Sequence, residues 1–138
     1  MTSLVFRWRK TVEFGHCDPA GMVSPKRLFE YFDTGTWSLF EAALGIKRAD
    51  FLTTFGILPL VDVRLACRKG VKFGDNIEVA SRVAAFRRSS FDVDHRIGVD
   101  GELAVEGGET RVWAVRDKDS PEKISARTIP ADVIARFG

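Results

Sequence analysis

Glu13-Phe14-Gly15-His16-Cys17-Asp18-Pro19-Ala20-Gly21-Met22-Val23 joins an alternating run to a helical one. Upstream, residues 4–14 set Val5, Trp8, Val12 and Phe14 among charges, which predicts a strand. Gly15 to Gly21 predicts a tight turn, because Gly and Pro supply the backbone angles a turn needs. Downstream, Ser24-Pro25 predicts an N-cap followed by Pro at the first helical position, and Gly45 predicts the C-cap. Between them Leu28, Phe29, Tyr31, Phe32, Trp37, Leu39, Phe40, Ala43 and Leu44 recur at helical spacing. So broad an apolar face predicts an enclosed helix. Gly35 inside it costs ~1 kcal/mol relative to Ala, which close approach by another backbone would justify.

Past the helix, strand patterns take over near Ile57 to Arg68, Asn76 to Phe86, Ser89 to Val99 and Leu103 to Arg116. Gly74-Asp75-Asn76, Arg87-Arg88-Ser89 and Asp100-Gly101 punctuate them, and a short helix is expected after Pro130. One strand, one long helix and four strands in meander order predict an α+β arrangement, an antiparallel sheet wrapped on a single helix. A length of 138 residues fits one domain, residues 1–138.

Composition narrows the function classes. Hydrophobic residues at 45% and charged residues at 29% suit a soluble globular protein. No run of ~18 apolar residues predicts a membrane span, and Met1 to Lys10 lacks the continuous apolar core of a signal peptide, so a cytoplasmic protein is expected. The balance of 21 basic against 19 acidic residues argues against a general nucleic-acid binder. Cys17 and Cys67 are not spaced as metal ligands, and a cytosolic chain keeps them reduced. His16 and His95 are distant and without an acidic cluster, so no zinc site is expected. His95, in Phe91-Asp92-Val93-Asp94-His95, reads as a hydrogen-bonded structural histidine.

Asp18 is the catalytic candidate. A carboxylate on a stiff turn before a helix is well placed for chemistry, although many Asp-Pro turns only bond their own backbone. Adjacent His16 and Cys17 rarely meet in the geometry of a nucleophile pair. Asp18-Pro19-Ala20-Gly21 resembles the signature of the 4-hydroxybenzoyl-CoA thioesterase family. Phe14-Gly15, Tyr31-Phe32-Asp33, Pro59, Phe73-Gly74-Asp75, Arg87-Arg88 with Ser90-Phe91, and Ile129-Pro130-Ala131-Asp132 extend the resemblance over most of the chain.

That resemblance implies the hotdog fold and hydrolysis of an acyl-CoA thioester to free acid and coenzyme A. Coenzyme A is part of the substrate, and neither metal nor cofactor is implied. The family's catalytic acid falls on Asp18, either as nucleophile forming an acyl anhydride or as general base on water. Backbone N–H groups at the start of the long helix would hold the oxyanion. In relatives one donor stands where this chain has Pro25, which has no N–H. Ser24 or Lys26 is then the donor, or the helix starts in a shifted register. His16 would orient the turn or line the pocket, and Asp33 and Pro59 would lie by the acyl group. Arg87, Arg88 and Ser89 at a hairpin, with Arg127, would hold the nucleotide phosphates, since Arg makes bidentate contacts to phosphate. The family further implies a homo-oligomer, dimer or tetramer, with acid and nucleotide contacts from different chains. A non-hydrolytic acyl-CoA or acyl-carrier binding protein is the alternative, and Pro25 favours it. A hotdog dehydratase would need a His–acid pair that the sequence does not make evident.

Overall fold

The computed structural model describes residues 2–138. In chain order the elements are β1 (Phe6–Thr11), α1 (Pro25–Leu44), α2 (Arg48–Thr54), β2 (Leu60–Cys67), β3 (Asn76–Phe86), β4 (Ser90–Val99), β5 (Glu102–Val112), β6 (Ala114–Arg116), β7 (Ile124–Ala126) and α3 (Ala131–Ala135). One antiparallel five-stranded sheet has the order β1-β3-β4-β5-β2, while β6 and β7 pair with each other. Its inner face packs on α1, the expected α+β arrangement.

The cap positions of α1 are those the sequence predicts, although the Ser24 side chain makes no capping bond. Ser24 precedes Pro25, and Gly45 ends the helix at φ +66, a left-handed angle that glycine adopts without a Cβ clash. Two apolar clusters divide the helix. Leu28, Tyr31 and Phe32 pack with Val79, Ile97 and Val105 around its first half. Leu39, Phe40 and Leu44 pack with Phe91, Trp113 and Phe137 around its second. Between them lies a buried polar layer of Thr36, Ser81, His95, Glu109 and Arg111. This layer explains Gly35. A methyl group there would collide with Ser81 Oγ and come within 3.3 Å of His95 Nδ1, so side chains of the sheet, not another backbone, make the close approach.

Strand order departs from the expected meander. β3, β4 and β5 follow one another as hairpins, but β2 lies at the far edge beside β5. Residues 68–75 then return along the start of α1, where Val23 N–H donates to Val71 O at 2.8 Å and Met22 bridges Lys72. Such pairing depends on which sheet edge a connection can reach, a long-range choice that strand patterns do not carry. The strand expected over Leu103 to Arg116 breaks at buried Trp113, whose N–H donates to Ser89 O at 2.7 Å. In β1 the inward residues are Phe6 and Trp8, whereas Val5 and Phe14 are exposed. α2 is an addition, held by the Arg48 guanidinium on Glu41 at 2.7 Å. No helix of the described residues is long and apolar enough to cross a membrane.

Candidate active site

The Asp18 turn is built by its own backbone. Asp18 N–H donates to Met22 O at 2.8 Å, Gly21 N–H donates to Asp18 O at 2.9 Å, and Cys17 bridges Val23. Gly21 sits at φ +80, which closes the turn. The Asp18 side chain is exposed, and its Oδ1 accepts from Ala20 N–H at 2.9 Å and Met22 N–H at 3.0 Å. Its Oδ2 accepts no hydrogen bond among the described residues. One oxygen therefore fixes the carboxylate while the other faces outward.

The turn leads directly into α1. The Ser24 side chain makes no capping bond, so the N–H groups of Lys26 and Arg27 in the first turn are left without that partner. The helix starts at Pro25, with Ser24 at the N-cap position. Beside the turn stand Phe14 and Phe73, an edge-to-face pair 5.4 Å apart with 63% and 57% of their surfaces exposed. His16 lies at the end of a 3-10 turn, Phe14–His16, with its Nδ1 2.9 Å from the Tyr31 hydroxyl.

Asp33 and Pro59 come together through Arg111. The Arg111 guanidinium donates to Asp33 Oδ1 at 2.7 Å and to Leu58 O at 3.1 Å, next to Pro59. Its other contacts run inward: Arg111 meets Glu109 Oε2 at 2.9 Å, and Glu109 Oε1 meets His95 Nε2 at 3.0 Å and the Thr36 hydroxyl. His95 Nδ1 lies 2.7 Å from Ser81 Oγ, and its ring stacks on Phe32 at 4.5 Å. The structure thus contains a His–acid pair that the sequence did not make evident, but both side chains are about 1% exposed and out of a substrate's reach. Period-two alternation was the available signal. Phe91, Val93, His95, Ile97 and Val99 all face inward on β4, which places a polar ring in the core and requires polar partners for it.

The basic residues gather at the opposite end of β3. Trp113 joins two of the segments: its N–H donates to Ser89 O at 2.7 Å and its carbonyl accepts from Arg127 N–H at 2.8 Å. Ile129 N–H donates to Arg88 O at 2.7 Å. Arg88, Ser89 and Arg127 therefore share one corner, with both Arg side chains exposed. Arg87 is already engaged, donating to both oxygens of Asp92 at 3.0 and 2.8 Å. That hydrogen bond holds the Asp92 carboxyl down at about 2. The 11 residues of β3 separate this corner from the Asp18 turn by on the order of 30 Å.

Among the described residues, no three His, Cys, Asp or Glu side chains converge as metal ligands.

The sequence matches the thioesterase-like superfamily over residues 12–137. It is 26% identical over 133 residues to the 4-hydroxybenzoyl-CoA thioesterase of Pseudomonas sp. strain CBS-3, covering 91% of this chain and 92% of that one. The solved structure of the thioesterase from that strain superposes with a TM-score of 0.84 at 25% identity, over 97% of this chain and 99% of that chain. A mutant 4-hydroxybenzoyl-CoA thioesterase complexed with 4-hydroxybenzoyl-CoA superposes with a TM-score of 0.85 at 23% identity, over the same shares of the two chains. The fold is therefore the hotdog fold that the resemblance implied.

Proposed function

The chain belongs to the thioesterase-like superfamily, and we propose that it hydrolyses an acyl-CoA thioester to the free acid and coenzyme A at Asp18. The observation that carries this reading is the half-satisfied carboxylate. Oδ1 is held by two amide N–H groups, and Oδ2 is open at the start of α1. An oxygen so held attacks the thioester carbonyl as nucleophile, or takes a proton from water as general base. The thiolate leaves without an obligatory acid. Developing charge on the carbonyl oxygen is met by first-turn amides, with Lys26 or Ser24 as donor because Pro25 has none. The helix dipole adds to this.

The acyl group is assigned to the surface where Asp33, Arg111 and Pro59 meet, with His16 on the turn side. Phosphates of the coenzyme are assigned to Arg88, Ser89 and Arg127, with Arg87 supporting the corner through Asp92. In one protomer these groups are on the order of 30 Å from Asp18, more than a pantetheine arm covers. A second copy supplying the basic corner closes that gap, so we assign the active form to a dimer or a tetramer. Edge strand β2, with Leu60 and Val61 exposed, offers an unpaired edge for that contact. Both cysteines are free thiols, which suits the cytoplasm.

Binding without hydrolysis is the second reading, and the missing N–H of Pro25 favours it. Free-thiol release from a panel of aromatic and aliphatic acyl-CoAs separates the two. Turnover by the wild type that Asp18→Asn abolishes supports hydrolysis. Binding of the panel without thiol release supports the second reading, and turnover that survives in Asp18→Asn removes Asp18 from the mechanism.

A further inference from the structure

The limb that carries Asp18 is fastened to α1 by one side-chain hydrogen bond. His16 lies two residues before Asp18, and its Nδ1 meets the hydroxyl of Tyr31, well inside α1 and only 4% exposed. The ring atom on the other side, Nε2, faces the Glu13 carboxylate at 3.7 Å. An ionised carboxylate only accepts, so the proton belongs on Nε2 and Nδ1 is left as an acceptor for the Tyr31 hydroxyl. Burial, reinforced by Cys17, pushes the Tyr31 phenol up, which keeps its proton in place. Trp8 packs edge-on against the same phenol ring at 5.8 Å and fixes its direction. Glu13 is in turn met by Lys10 at 3.5 Å. The chain from β1 to α1 is therefore continuous: Lys10, Glu13, His16, Tyr31.

We propose that Tyr31 is a positioning residue, its hydroxyl bracing His16 so that the Asp18 turn keeps one distance and angle to the first amides of α1. The inference rests on the Asp18 reading above. Its physical basis is the steep dependence of rate on placement. The turn's other polar ties are bonds within itself and to residues 71–73, and Cys17 and Val23 add only non-directional apolar packing against the cluster that holds Leu28 and Tyr31. Among the described residues the His16–Tyr31 pair is therefore its one side-chain hydrogen bond to the helix interior. A carboxylate that drifts relative to its oxyanion donors loses rate without losing affinity.

The test compares Tyr31→Phe, which removes one oxygen from a buried ring, with His16→Ala, His16→Asn and the double variant Tyr31→Phe/His16→Ala. Thiol release and amide hydrogen exchange are both measured. In Tyr31→Phe, kcat falls about tenfold or more while KM stays within about threefold. Exchange at the Ala20 and Met22 amides, which hold Asp18, speeds up about fivefold while β4 amides are unchanged. His16→Asn, whose side-chain oxygen stands near the place of Nδ1, recovers part of the loss seen in His16→Ala. The double variant is no worse than the poorer single one, because both remove the same bond. Unchanged exchange at Ala20 and Met22 overturns the brace, as do losses that multiply in the double variant. A wild type that releases no thiol defeats the Asp18 reading instead, and the exchange measurement still decides the brace.

Discussion

Glu109 and Asp18 are both carboxylates anchored by hydrogen bonds, one in the middle of the core and one on an exposed turn. Glu109 spends both oxygens: Oε1 on His95 and Thr36, Oε2 on Arg111. Burial pushes its carboxyl up, but the hydrogen bond from His95 and the Arg111 guanidinium outweigh that and hold it at about 2. Asp18 spends one oxygen on two amides of its own turn and leaves the other facing out. An acid beside a histidine is the more familiar mark of chemistry, yet here that pair is saturated and closed. What distinguishes the two is the atom left unsatisfied at a surface: the buried layer has none and serves the fold, and the open Asp18 oxygen is what the proposed hydrolysis draws on.

The sharpest break between the two comes from removing each charge without changing size. Asp18→Asn is expected to lower kcat by about a thousandfold, within the range of a lost acid–base group, and to leave the melting temperature within a few degrees. Thiol release and a thermal scan on the same sample check both halves. Glu109→Gln is expected to do the reverse. It strands Arg111 and His95 in the core and costs about 3 to 5 kcal/mol of stability by denaturant titration, while the folded fraction keeps its kcat. The same variant carries a pH signature. An ionised Glu109 stabilises the fold above its ordinary value of 4.5, and that contribution drains away as pH falls toward about 2. Wild type should therefore lose stability across that interval, and Glu109→Gln should lose much less. Asp92, held at about 2 by Arg87, leaves a smaller, solvent-screened slope in both proteins.

Gly35→Ala tests whether the buried layer is as tightly fitted as its geometry indicates. In an open helix this change would gain ~1 kcal/mol. Here the new methyl group meets Ser81 Oγ and His95 Nδ1, so the expected result is a loss of about 1 to 3 kcal/mol by denaturant titration. A gain would show that the polar layer yields freely and would weaken the contrast with the turn.

Gly35 also marks how far the sequence could be read. Its propensity cost announced a close approach, and helical spacing, Ser24-Pro25 and Gly45 placed the helix around it, because those signals are local. The partners were out of reach: that Ser81 and His95 make the approach depends on strand register. The crossing of β2 to the far edge depends on closure of the whole sheet. The same division holds at the site. The Asp18 turn was legible because its motif is contiguous, and the clustering of Arg127 with Arg88 and Ser89 was anticipated only through family resemblance. Trp113 assembles that corner through two backbone bonds, and no pattern within 113–127 encodes them. Tyr31 looked like one more core aromatic at helical spacing, since its hydroxyl acquires meaning only when the His16 turn folds against it.

On the proposed oligomeric reading the basic corner extends the open half of the contrast to a second protomer, and its test is the smallest effect. Arg88→Ala is expected to raise KM for an acyl-CoA about tenfold, the worth of one charge-assisted phosphate contact. It should leave KM unchanged for a short thioester that lacks the nucleotide. If acid and corner come from different chains, Asp18→Asn and Arg88→Ala protomers are complementary. Co-refolding them in equal amounts puts about half of random dimers in mixed pairs, each with one intact site of two, so about a quarter of wild-type activity at low substrate should return. Recovery of that size requires a shared site. No recovery beyond the residual activity of the separate variants would confine acid and corner to one chain. The gap that β3 sets between them, on the order of 30 Å by strand rise, would then have to be spanned within one protomer by a fully extended acyl-CoA.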